Sequence, residues 1–133
     1  MTTIAPKAAS ANKVQRLNKN SKLFKTVIRA IQDKKGENII SLDLRKVPEA
    51  VADFFIVCQA PSSTQIRAIA HNLEDEVSLH CGEKPFHTEG HAAYQWLIID
   101  YINIVVHIMH PETRKHYRLE DMWSDADATH HDL

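Results

Sequence analysis

The sequence predicts an α/β fold, a mixed sheet of four to five strands flanked by helices. Three observations carry that expectation. Two stretches, Leu23 to Ile31 and Ile66 to Val77, repeat apolar residues at helical spacing. Between turn signals, Asp53-Phe-Phe-Ile-Val-Cys58 is a near-continuous apolar run of strand length. Residues 95–101 and 102–109 then alternate between a uniform aliphatic face and a mixed one, the pattern of a strand pair. With 133 residues, 44% hydrophobic and 25% charged, the chain reads as one domain with tails, able to bury a core without staples.

Residues 1–20 are rich in Ala, Ser, Thr, Asn and Lys, contain no acid and show no sustained apolar period, which reads as a disordered basic extension. A mitochondrial transit peptide has a similar composition, but Arg16 is the only arginine in the stretch. The domain proper, residues 21–123, opens with a helix of roughly four turns that aligns Leu23, Phe24, Val27, Ile28 and Ile31. Lys34, Lys35 and Gly36 supply cations and a flexible stop at its end. Ile40, Leu42 and Leu44 alternate in a strand over residues 37–44, and Val47-Pro-Glu-Ala50 turns the chain.

The Asp53 to Cys58 run suits a central strand buried on both faces. Ala60-Pro-Ser-Ser-Thr-Gln65 breaks it, and Ser62 with Gln65 three residues on forms a capping box. The helix that follows places Ile66, Ile69, Ala70, Leu73 and Val77 on one side before Cys81-Gly82 ends it. A loop through Pro85 and Gly90 leads to the Trp96 strand. Ile102 or Asn103 marks the bend to the next, and His110-Pro111 closes that one. Tyr117, Leu119, Met122 and Trp123 fit a short amphipathic segment, and residues 124–133 read as an acidic flexible tail. The helical crossover between Cys58 and Trp96 allows parallel pairing. Two long helices cover about one face of such a sheet, so the other stays at least partly open.

Charge is unevenly distributed. Residues 1–46 hold 11 Lys/Arg against 3 Asp/Glu, a balance of +8; residues 47–133 hold 5 against 14, a balance of −9. An acidic body repels nucleic-acid phosphates and favours basic partners, whereas the basic N-terminal third suits contact with RNA. Both halves also fit plain solvated surface. Two cysteines, Cys58 and Cys81, are too few for a disulfide framework and fit a reducing compartment. Without an apolar run of about 18 residues or a secretory h-region, the chain is expected to be soluble and cytoplasmic, with no membrane partner.

The mixed face of the strand pair carries Trp96, Ile98, Asp100 and His107, and it is the candidate for contact with another molecule. Trp96 is the strongest anchor, a residue type enriched at interface hot spots, with core packing as the alternative. Asp100 suits a Lys or Arg of a basic partner, or equally a cap on a nearby loop. For His107, His110 and Tyr117, hydrogen bonds to a partner compete with internal ones. Leu119 and Trp123 pack the last helix on the sheet or join the contact surface. The pairs His87/His91, His107/His110 and His130/His131 lack the helical or Cys spacing of a committed metal site. An active nucleotidyltransferase would need a Gly-Ser phosphate loop and paired strand carboxylates, whereas Asp43, Asp53 and Asp100 each stand alone.

Taken in order, Ala52-Asp-Phe-Phe-Ile-Val57, Ser62-Ser63, Ala68-Ile-Ala70, Glu89-Gly90, Trp96-Leu-Ile-Ile-Asp-Tyr101, Val105-Val-His-Ile108 and Tyr117-Arg-Leu-Glu-Asp-Met-Trp123 resemble the ribosomal silencing factor family, also called Iojap-related, over residues 22–125. The resemblance implies a nucleotidyltransferase-like α/β sandwich and a non-enzymatic factor with no cofactor. It also implies binding to the large ribosomal subunit through ribosomal protein fourteen, which blocks joining of the small subunit. A nucleotidyltransferase-like enzyme or nucleotide binder is the alternative. The chain departs from the family in having Gln59-Ala60-Pro61 where Thr-Gly-Thr is usual, and Ile102-Asn103 where a Gly-Asp bend is usual. An open apolar sheet face also invites a homodimer when the partner is absent.

Overall fold

A computed structural model describes residues 21–132. In chain order the elements are α1 (Lys22–Asp33), β1 (Glu37–Asp43), β2 (Phe54–Gln59), α2 (Ser63–Cys81), β3 (His87–Glu89), β4 (Trp96–Asp100), β5 (Ile104–Met109), α3 (Pro111–Tyr117), α4 (Leu119–Met122) and β6 (Asp127–His130). They build one mixed sheet of six strands, in the order β3-β4-β5-β2-β1-β6. The expected α/β architecture is present, with β3 and β6 added to the four strands recognised from sequence. The basic extension expected over residues 1–20 lies outside the described residues. Among those described, no helix is long and apolar enough to cross a membrane.

The crossover through α2 does produce a parallel pair, but its partner is β5, not the Trp96 strand. Phe54 lies against Ile104 and Gln59 against Met109, and β4 then folds back antiparallel to β5. β2 and β5 are therefore central, and nearly every residue in them is buried. The face built from Phe54, Ile56, Leu97, Ile99, Ile104 and Ile108 is covered by α1 and α2, forming the main core. Each such side chain contributes roughly 2 kcal/mol by leaving water.

Local chemistry fixes the helix ends. Ser21 and Ser62 cap α1 and α2, their hydroxyl oxygens accepting from the amides of Phe24 (3.1 Å) and Gln65 (3.2 Å). Only half of the expected capping box forms. The Gln65 side chain donates instead to the carbonyls of Lys34 and Lys35, tying α2 to the end of α1. The residue with left-handed backbone at that end is Lys35 (φ 64°), while Gly36 is required for space: a Cβ there would meet the Ile31 side chain.

The acidic tail differs from expectation. Asp127–His130 pairs antiparallel with β1, Ser41 opposite Thr129, and the following residues lock it down. The His131 amide donates to the Ile39 carbonyl, its ring nitrogen Nε2 lies 2.8 Å from the buried Ser41 hydroxyl, and the Asp132 carboxylate accepts the Ile39 amide. These side-chain anchors hold a strand whose own composition shows little β preference.

The bend between β4 and β5 is tight. The Tyr101 amide donates to the Ile104 carbonyl and the Asn103 amide to the Tyr101 carbonyl, which leaves Ile102 at φ 74° and 57% exposed. A β-branched side chain there costs about 1–2 kcal/mol, and its exposure returns little. Ile102→Gly is accordingly expected to stabilise the fold by about 1 kcal/mol, net of glycine's extra chain entropy. Chemical denaturation checks this: the midpoint should rise at constant slope. A lowered midpoint would refute the strain.

Candidate functional site

Among the described residues, no long helix lies over the second sheet face. Ile40, Leu42, Phe55 and Val105 form a smaller apolar cluster there, beneath the loop from Val47 to Ala52 and the partly buried Trp123. Beside it, Val57, Met109 and Leu119 make a third cluster, with the half-buried Trp96 against it. Cross-strand register puts Trp96 opposite Met109, Ile98 opposite His107 and Asp100 opposite Val105, so the four predicted strand residues share this face.

Trp96 and His107 are joined directly. The indole Nε1–H donates to His107 Nδ1 at 3.0 Å. His107 is only 5% exposed, and burial pushes its pKa down to about 4, so the ring is neutral near pH 7. With Nδ1 accepting, the single ring proton sits on Nε2. That atom is buried without a hydrogen-bond partner among the described residues, while the Phe55 ring meets the imidazole edge-on at 4.7 Å. An orphaned donor costs about 1–3 kcal/mol. In return the indole is held in one orientation, half in and half out of the surface.

Tyr117 completes the exposed part. Its ring lies 4.8 Å from that of Trp96 and is 53% exposed. Its position depends on Arg114, a residue not singled out from sequence. Arg114 is 7% exposed and donates to Glu120 (2.9 and 3.1 Å), the Asn38 carbonyl (2.7 Å) and Gln59 (3.3 Å). This network ties α3 and α4 to the ends of β1 and β2.

The remaining sequence candidates divide. Asp100 caps the bend: its Oδ1 accepts the Ile102 amide at 2.7 Å. His110 is the N-cap of α3, its Nδ1 accepting the Glu112 amide at 3.2 Å. Leu119 is buried, and Trp123 is half-buried with its ring edge-on to Phe55 at 5.8 Å, so both mainly seat the last helix. Ile98 is half-buried beside His107. Met122, on the same short amphipathic segment, is 70% exposed, because a four-residue helix cannot turn every apolar side chain inward. Trp96, Ile98, Tyr117, Met122 and Trp123 are thus partly or largely exposed, and among the described residues no long helix seals this apolar rim.

A nucleotide site would need net positive charge. The depression of about 430 Å³ beside α3 has Arg114, Lys115 and Arg118 on its walls, but also Glu112, Glu120 and Asp121. Arg118 is bridged to Asp121 at 2.6 Å and Arg114 to Glu120 at 2.9 Å, which leaves little field for a phosphate.

A family model described as ribosomal silencing factor during starvation matches residues 17–133. A ribosomal silencing factor of Halalkalibacterium halodurans is 36% identical over 107 residues, covering 80% of this chain and 90% of that protein. One from Bacillus subtilis is 34% identical over 104 residues, covering 78% and 86%. A crystal structure of a Chromobacterium violaceum protein, 31% identical, aligns with a TM-score of 0.72 over 77% of this chain and 83% of its own.

The buried imidazole makes stability depend on pH. His107 titrates near 4 when folded and near 6.5 when unfolded, so between those values the unfolded chain binds more protons and stability falls as pH falls. The full loss attributable to His107 is roughly 3 kcal/mol at pH 4. His107→Gln keeps an acceptor for the indole and removes the titration. Melting curves from pH 7 to pH 4 should therefore fall less steeply for the variant; parallel wild-type and variant profiles would rule out a neutral buried His107.

Proposed function

This chain belongs to the ribosomal silencing factor family, and on that premise we propose that it represses translation by occupying the large ribosomal subunit so that the small subunit cannot join. The seat is ribosomal protein fourteen of the large subunit, and the docking surface is the sheet face bearing Trp96. The observation that carries this reading is the Trp96–Tyr117 ring pair, partly exposed on the sheet face, with Met122 exposed on the helix that follows. Aromatic side chains with one buried and one exposed edge are what interface hot spots use.

The mechanism requires no bond to be made or broken. A folded domain seated where another large body must sit prevents association by exclusion, and the inhibition scales with occupancy. The Trp96–His107 bond keeps the indole from rotating into a second orientation, which lowers the entropy cost of docking. Arg114 does the same for Tyr117 by fixing α3.

Trp96→Ala would strip His107 of its remaining hydrogen bond and confuse folding with binding. The cleaner variant is Tyr117→Ala with Met122→Ala, since both side chains are more than half exposed. Wild-type protein is expected to co-sediment with isolated large subunits, not small ones, and to reduce their assembly into whole ribosomes. The double variant should melt within a few degrees of wild type yet bind roughly 30-fold more weakly, a loss of about 2 kcal/mol. Equal binding to both subunits, or to neither, would overturn the reading.

A further inference from the structure

The exposed side of α1 differs from every other charged surface described. Lys22, Lys25 and Arg29 are all exposed and follow one another at intervals of three and four residues, so they line one strip about 10 Å long. Lys34 and Lys35 continue it past the helix end. Residues 22–35 thus hold five cations and one acid, Asp33, and the twenty residues before Ser21 add Lys7, Lys13, Arg16 and Lys19 with no acid.

Several cations elsewhere are matched. Arg45 is bridged to Asp43, Arg114 to Glu120 and Arg118 to Asp121. None of the five on and after α1 has a carboxylate within ion-pair distance among the described residues. Lys25 and Arg29 also form a ridge between two shallow grooves of about 210 and 280 Å³, one running to Glu76 and His80 on α2, the other to Gln32 and His131.

We infer that this strip binds the phosphate backbone of RNA, as a second contact alongside the apolar rim. An anionic membrane fits less well. The apolar side of α1, Leu23, Phe24, Val27, Ile28, Ala30 and Ile31, is already buried in the core, so the helix has nothing to insert into a bilayer. A line of cations without an apolar flank suits a polyphosphate chain, where each contact releases counterions. The position is compatible with simultaneous docking. Phe24 packs against Phe54 and His131, and Gln32 donates to the His131 carbonyl, so α1 lies over the β1 and β6 side of the sheet. A domain seated by its other face leaves this flank free to meet RNA. The inference rests on the proposed ribosomal reading for its particular RNA, but the strip and the rim are separable by mutation.

The experiment measures binding of the full chain to isolated large subunits, and to their RNA freed of protein, across a series of KCl concentrations. Lys22→Gln, Lys25→Gln and Arg29→Gln together should flatten the dependence of log binding constant on log salt by roughly 2 to 3, at about 0.7–0.9 per phosphate contact, and should abolish binding to the bare RNA. Tyr117→Ala with Met122→Ala should weaken subunit binding without changing that slope. An unchanged slope in the triple variant overturns the strip as an RNA contact. So does wild-type binding to phosphatidylserine vesicles with none to bare RNA. If instead the rim variant is silent while the triple variant flattens the slope, the RNA contact stands and the proposed docking surface falls.

Discussion

A parallel strand pair at the centre of a sheet cannot leave either face in water, and that constraint organises the whole molecule. β2 and β5 are apolar on both sides, Phe54, Ile56 and Ile104 pointing one way and Phe55, Val57 and Val105 the other. The described residues supply two long helices, and both fall on the first side, since α1 packs with α2 and α2 forms the crossover between the two strands. The second side must be covered by whatever remains: the loop after β1, the short α3 and α4, and side chains of the sheet itself. That cover is incomplete, and the exposed rim is what it leaves.

Within the incomplete cover, Trp96 and His107 solve a local problem of polarity. The indole has one donor and the neutral imidazole one acceptor, and each satisfies the other at 3.0 Å across adjacent strands. A leucine at either position would pack as well but would leave the remaining polar atom orphaned. The second imidazole nitrogen stays unsatisfied, a local imperfection of the sort found where surfaces are shaped for something other than stability.

Much of this was legible from sequence because it rests on periodicity. The two long helices, four strands and the shared face of Trp96, Ile98, Asp100 and His107 follow from spacings of 3.6 and 2. What was not legible rests on single contacts. β6 is held by His131, Asp132 and Ser41, groups that lie 90 or more residues apart in the chain. Asp100 reads equally as a recognition or a capping residue and His110 as bonding to a partner or internally, and only the distances to the Ile102 and Glu112 amides show the caps that both make. Arg114 gave no signal, since a buried arginine is defined by the carbonyl and carboxylate that surround it. β3 is three residues long, too short for alternation to register.

The same one-sided distribution of helices bears on how such a domain could obstruct a ribosome. An inhibitor acting by occupancy needs its docking surface and its bulk on opposite sides, otherwise its own body hinders docking. Here the sheet face carries the aromatic rim, while the α1 and α2 layer stands behind it, adding about 10 Å of thickness. Because α2 is locked to the sheet by Ile66, Ile69, Leu73 and Val77, that layer cannot yield without disrupting the main core. Rigidity of the helix layer and exposure of the rim thus have one origin, the placement of both long helices on a single face. A variant that merely loosened the rim would lose affinity but keep its bulk, whereas one that loosened the helix layer would lose both.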